Sequence, residues 1–347
     1  MDHPIAYDLI RKLPKVDLHV HLDGSVKPET LMELAQQRGV SLPARSRKQL
    51  LPHMQVEDDC TSLKMYLSKF DFVLPFLQTG EALRRVAHET VEQAAAHTIG
   101  YIEVRFAPQL HRGAGLSVEE VIHHVVEGLR SGERKYGVVA RGIAICMRHH
   151  GSKENIEVIE AAASRSGKGI VAVDLAGDEA SYPPQFFREV FAVSHKRGLP
   201  VTIHAGEAAG AENVLEAVTR LGAVRIGHGV RVKENPELMR LLAKQRIPLE
   251  MCPISNLQTK AVTSWEQYPI RDYFERGIKV TVNTDNPTVS GTNLTKEYRV
   301  LADKFGFAAT ELAELVMNGV EAAFLEESEK RVLRRRFRRQ FRELGVG

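Results

Sequence analysis

The sequence predicts a (β/α)8 barrel, an α/β fold built as one domain over residues 1–347. Three observations lead there. Eight short β-rich runs recur, each followed by a helical pattern. Most runs are continuous apolar strings, as expected of strands covered on both faces. The polar residues able to do chemistry gather at the C-terminal ends of the runs, the end at which such barrels carry their sites. A doubly wound open sheet is the structural rival, but it usually shows a glycine-rich phosphate turn after its first strand. Here the first run ends in His-Val-His-Leu-Asp-Gly, residues 19–24.

The first run is Val16–Leu22. Roughly eighty residues separate it from the second, against about thirty elsewhere. Within that insertion Leu63, Tyr66, Leu67, Phe70, Val73 and Leu74 share one helical face, stopped near Pro75. The face either packs on the barrel or forms a hydrophobic lid, at about residues 55–80, over its mouth. The helical pattern Glu81–Thr98 then leads into the run Tyr101–Ala107. Val118–Tyr136 precedes Val138–Met147, and Asn155–Ser166 precedes Ile170–Leu175. Pro184–Arg197 leads to Pro200–Ala205, and Val224–Val230, Ile247–Cys252 and Lys279–Thr284 complete the eight. A basic helix at about 328–343 closes the chain, with Leu333, Phe337 and Phe341 repeating every fourth residue as a docking stripe.

Composition bounds the function. The 26 glycines and 15 prolines are too few for a disordered chain, and charged residues at 26% are ordinary for a globular one. No run of apolar residues is long enough to span a membrane, and the first fifteen residues lack a secretory core. Cys60, Cys146 and Cys252 are scattered, which predicts reduced thiols in a cytoplasmic protein. The net charge of +3 comes from one segment: Lys330–Arg342 holds eight Lys or Arg and no acid, so the remainder is net acidic. That segment reads as a docked helix with solvated arginines, and neither nucleic acid nor membrane is an expected partner; RNA or an anionic membrane surface is the rival reading. The oligomeric state stays open between monomer and homodimer.

Of the 14 histidines, His3, His53, His88, His97, His111, His123, His124 and His195 read as solvated, and His149 and His150 could reach the active face. His19 and His21 differ, since two apart on a strand they point to the same side. Two imidazoles in an apolar string want a partner, and a metal ion is the simplest one. His204 ends the fifth run, His228 the sixth and Asp285 the eighth, and a barrel gathers those ends into one mouth. His19, His21, His204 and Asp285 are therefore the expected ligands of one Zn2+ per chain, though other divalent ions accept the same set. Such an ion lowers the pKa of its water and yields a hydroxide nucleophile. Glu207, three residues beyond His204, is placed to be a general acid, and His228 to orient the water or take its proton.

The motifs Pro-Lys-Val-Asp-Leu-His-Val-His-Leu-Asp-Gly (14–24), Asp-Leu-Ala-Gly-Asp-Glu (174–179), His-Ala-Gly-Glu (204–207), Gly-His-Gly (227–229) and Asn-Thr-Asp-Asn-Pro (283–287) resemble those of adenosine deaminases. The resemblance runs from about residue 10 to 330, in order. It implies a zinc hydrolase of the amidohydrolase superfamily that converts adenosine and 2′-deoxyadenosine to inosine and 2′-deoxyinosine with release of ammonia. It casts His19, His21, His204 and Asp285 as zinc ligands, Glu207 as proton donor to purine N1, and His228 with Asp285 as the other catalytic groups. It also implies that Asp23 contacts the ribose 5′-hydroxyl, that Gly177 and His21 contact the substrate, that Asp174 stands behind a ligand, and that the Leu63–Leu74 helix is a gate. Asn286 departs from the family, many of whose members have Asp there; an amide can still donate to purine N7. Related barrels deaminate adenine, N6-modified AMP or aminofutalosine, and a silent nucleoside-binding barrel is the non-enzymatic alternative. Zinc deaminases of the H-x-E and P-C-x-x-C type are excluded, since neither pattern occurs.

Overall fold

A computed structural model of the chain describes Ile5, residues 7–57 and residues 60–346. All eight β-rich runs form strands: β1 (Lys15–His21), β2 (Ile99–Phe106), β3 (Val139–Met147), β4 (Ile170–Ala176), β5 (Thr202–Ala205), β6 (Arg225–His228), β7 (Leu249–Met251) and β8 (Val280–Val282). The last four are shorter than the apolar runs that announced them. Pro200 and Pro248 have no N–H for a ladder, so β5 and β7 begin after them. Gly229, at φ 78°, turns the chain away after β6.

All pairings are parallel, in two four-stranded sheets ordered β1-β2-β3-β4 and β5-β6-β7-β8. The sheets touch at both edges. Val173 on β4 bridges Val201, and Val20 on β1 bridges Asp285, just past β8. At the second seam Asp285 N donates to His19 O at 2.7 Å and His21 N donates to Asp285 O at 2.8 Å.

Helices follow the strands and cover their outer faces. Val118–Tyr136 shows why they form: Ser117 and Glu120 make a capping box, Gly137 ends the helix at φ 70°, and Val121, Ile122, Val125 and Leu129 bury one stripe. The predicted Pro184–Arg197 helix divides into a 3-10 turn at Pro184–Phe187 and a helix at Arg188–Lys196. In the long insertion Leu63–Val73 starts on its cap Ser62 and stops before Pro75. The basic helix Glu327–Glu343 buries Leu333, Phe337 and Phe341, and Phe337 sits where a Cβ on Gly100 would lie 2.6 Å from its ring. Among the described residues no helix is long and apolar enough to cross a membrane. Cys60, Cys146 and Cys252 are free and buried.

The inner faces of the strands are polar. Strand alternation turns Asp17 and His19 of β1, Glu103 and Arg105 of β2, Asp174 of β4, Arg225 of β6 and Glu250 of β7 inward, and all are buried. One histidine was misjudged from sequence: His111 is fully buried, not solvated, with Nδ1 3.0 Å from Leu77 O. A short 3-10 turn over Pro108–His111 folds it inward. His3 lies outside the described residues.

Candidate active site

β1 brings His19 and His21 to one end of the two sheets, where His204 of β5, His228 of β6 and Asp285 meet them. Asp285 Oδ1 lies 3.4 Å from His19 Nε2 and 3.3 Å from His21 Nε2. His21 Nε2 and His204 Nε2 are 3.3 Å apart. Asp285 Oδ2 accepts from Ser255 Oγ at 2.6 Å. Two of the site's residues hold unusual backbone: Asp285 is at φ 60° and His228 at φ 124°. Gly227 leaves room for the cluster, since a Cβ there would lie 2.9 Å from the His19 ring.

The outer nitrogens settle which way the rings face. His19 Nδ1 is 2.7 Å from Glu250 Oε2, and His204 Nδ1 is 3.0 Å from Asp174 Oδ2. A carboxylate can only accept, so both rings carry their proton on Nδ1 and turn the Nε2 lone pair inward. His19 Nε2 is buried and has no hydrogen-bond partner. Lone pairs facing one another beside a carboxylate call for a cation. The residues thus fit a divalent ion, and a histidine–carboxylate set suits zinc.

Electrostatics agrees. Burial opposes charging Asp285, but the nearby His19 ring, 3.4 Å away, and the other imidazoles outweigh it and hold its carboxyl well below the usual carboxylate range. Burial also resists a proton on His19, as does Arg105, yet the neighbouring carboxylates of Asp285 and Glu250 prevail and raise its affinity for one. Positive charge is favoured at that point.

By distance alone the fourfold donor group is His19, His204, His228 and Asp285, all within 4.8 Å of one another, with His21 outside it. Hydrogen bonding favours His21 over His228 as a ligand. Asn256 Oδ1 accepts from Cys252 N at 3.3 Å and Tyr268 OH at 3.1 Å, which fixes the amide orientation. Its Nδ2 therefore donates to His228 Nδ1, 3.2 Å away. Burial pushes His228 well below its ordinary pKa, so the ring is neutral and its single proton sits on Nε2. An Nε2–H donates a hydrogen bond and cannot bind a metal.

His228 Nε2 lies 3.7 Å from Glu207 Oε2. Glu207 Oε1 accepts from Thr259 Oγ1 at 3.0 Å. Burial pushes the Glu207 carboxyl up to about 8, and the charges of Asp285 and Glu179 add to the effect. Burial also lifts Asp23 to about 6.

These groups open on a cavity of about 310 Å³. Every predicted site residue except His19 lines it: His21, Asp23, Gly177, His204, Glu207, His228, Asp285 and Asn286. His19 lies beneath, fully buried. Leu63, Tyr66, Leu67, Phe70 and Leu74 of the insertion form an apolar wall, and Val73, grouped with them on the sequence, is buried in the core instead. His149 reaches the rim and His150 does not.

Sequence reading missed Glu179, Asn256, Glu250 and Arg105. Glu179 accepts from the backbone N–H groups of Gly206, Glu207, Ala208 and Ala209 at 2.7 to 3.1 Å, and so holds the loop that carries Glu207. The signal for Glu250 and Arg105 was available: each is a charge inside an apolar β-run.

Residues 14–339 match the family model described as adenosine deaminase. A protein of Clostridium botulinum (strain Okra / Type B1) called adenosine deaminase is 44% identical over 325 residues, covering 93% of this chain and 97% of that one. Among solved structures, an adenine deaminase from Arthrobacter aurescens superposes with a TM-score of 0.88 at 27% identity, over 95% of this chain and 99% of that one. An amidohydrolase from Burkholderia ambifaria with bound Zn gives 0.90 at 26% identity, over 99% and 95%.

Proposed function

Since the chain belongs to the adenosine deaminase family, we propose that it hydrolyses adenosine and 2′-deoxyadenosine to inosine and 2′-deoxyinosine, releasing ammonia, as a purine-salvage enzyme. The observation that carries this is Glu207: a buried carboxyl protonated up to about pH 8, beside the neutral His228 and the inward-facing lone pairs. That is an acid placed next to a cation site, the pairing that water addition to a purine needs.

His19, His21, His204 and Asp285 would hold one Zn2+, whose chemistry when bound is to acidify a water and make a hydroxide available near neutral pH. Glu207 donates its proton to purine N1 as oxygen adds at C6, which breaks the ring's aromaticity. His228 donates from Nε2 and orients the incoming oxygen, and Asp285 accepts on the same side. The adduct then expels ammonia. Asp23 accepts from the 5′-hydroxyl, the Gly177 backbone contacts the purine, and Asn286, at the cavity wall, donates from Nδ2 to N7. The insertion helix Leu63–Val73 serves as a gate, its apolar wall excluding water from the cavity.

The two bridged seams and the parallel order support reading the sheets as one closed (β/α)8 barrel, a single domain over residues 1–347. We read the protein as cytoplasmic, a monomer or homodimer acting on a small-molecule nucleoside.

The test is the ultraviolet assay of metal-analysed protein with adenosine, with adenine beside it. Loss of adenosine absorbance that disappears in Glu207→Gln, with zinc retained, supports the reading. Turnover of adenine alone would move the substrate. Zinc at one per chain with no turnover of any aminopurine would replace the enzyme with a nucleoside-binding protein.

A further inference from the structure

The carboxylates behind His19 and His204 are tied to each other. Arg105 Nη1 donates to Asp174 Oδ2 at 2.9 Å, and Arg105 Nη2 donates to Glu250 Oε2 at 2.7 Å. Glu250 Oε2 also receives the ring proton of His19, at 2.7 Å, while His204 donates its ring proton to the other oxygen of Asp174, Oδ1, at 3.1 Å. Nη2 also donates to Leu18 O at 2.8 Å, one residue before His19. One guanidinium therefore joins two histidine–carboxylate pairs from four different strands. All of its charged partners are buried to 0% exposure.

A guanidinium is planar and its N–H directions are fixed, so it sets the separation of two carboxylates as an ammonium cannot. The carboxylates in turn set the tilt of the two imidazoles. Stability is a weak reason for such an arrangement, because buried ion pairs seldom outperform apolar packing. Geometry is a better one.

We propose that Arg105 is a positioning residue of the metal centre, fixing the spacing of the His19 and His204 Nε2 atoms through Glu250 and Asp174. This rests on the zinc reading above. Glu103 supplies the internal control. It pairs with Arg225 at 2.5 Å within the same buried network and reaches Glu250 only through that arginine, on the oxygen Oε1 that His19 does not use.

The experiment measures zinc affinity by chelator competition and the visible spectrum of the Co2+-loaded protein for wild type, Arg105→Lys and Glu103→Gln. Lysine holds one carboxylate at a time, so Arg105→Lys should weaken zinc binding about 10- to 100-fold and alter the cobalt bands. Glu103→Gln should lower thermal stability and leave both readouts at wild-type level. Wild-type affinity and spectrum in Arg105→Lys would overturn the proposal and leave the metal reading intact. Failure of the wild type to take up zinc would remove both. Should Arg105→Lys not fold, Asp174→Asn serves. Arg105 predicts that the ring N–H signals of both His19 and His204 in the cobalt protein exchange faster, and a change confined to His204 would overturn it.

Discussion

Replacing Asn256 with aspartate reverses the hydrogen bond on which the His228 tautomer depends. A carboxylate at that place accepts from Nδ1, the proton leaves Nε2, and the ring presents a lone pair to the cation site. The expected outcome is a kcat loss of about 10²-fold or more with a changed ring-nitrogen pattern in histidine-labelled NMR; unchanged spectra would refute the assignment. Glu207 governs the alkaline side. It must be protonated to act, so kcat should hold below about pH 8 and fall as pH rises past it. A profile flat from neutral to strongly alkaline pH would contradict that role. Asn286 is neutral at every pH, so Asn286→Asp should add a second ionisation to the profile, and indistinguishable profiles would remove Asn286 from N7 recognition. At this scale the polar residues that meet around the cavity were legible, because they lie in or just past the apolar runs. Their partners were not. Asn256 sits in a helix, Pro253–Gln258, with nothing in its sequence to mark it.

Loops and helices carry the next set of consequences. The N–H groups of 206–209 are held by one carboxylate, so Glu179→Gln should cost about 1–3 kcal/mol in denaturant unfolding, with a larger proportional loss in kcat because Glu207 rides on that loop. Equal kcat in wild type and variant would show that the loop is held by other means. The helix Glu327–Glu343 is anchored by its buried stripe, so Phe337→Ala should cost about 3–5 kcal/mol while charge reversal at exposed Arg338 should change stability little. The strands and the longest helices could be read from periodicity, Val118–Tyr136 to the residue. The insertion helices Pro28–Gln37 and Arg47–Met54 could not, for the second has Pro52 inside it and both are short.

Across the molecule, buried acids couple stability to pH. Glu297 is wholly buried and burial pushes it up to about 8 from 4.5. A group with a raised folded pKa contributes most below its unfolded value and loses that contribution as pH rises to the folded one. The window is therefore about pH 4.5 to 8, with a slope approaching 1.4 kcal/mol per pH unit, roughly. Glu297→Gln keeps one oxygen to accept from the Ile254 N–H, lets the Thr292 hydroxyl accept from the new amide, and should flatten this part of the stability curve relative to wild type. Parallel curves would show that Glu297 does not titrate there. The alternation of strand and helix made the architecture legible. The charged interior was passed over because single charges such as Glu250, visible as such in their runs, are outvoted in a hydrophobic average.

The seam between β1 and the segment after β8 joins residues more than 260 positions apart, as the bond from Leu18 N to Asn283 Oδ1 shows. During synthesis, His19 and His21 emerge from the ribosome long before Asp285 does. The nascent chain therefore carries a pair of exposed imidazoles and no finished ion site until its last strand has been made. On the metal reading, uptake would be a late event in the protein's life, and cobalt colour during refolding would report the moment at which the two ends of the chain meet.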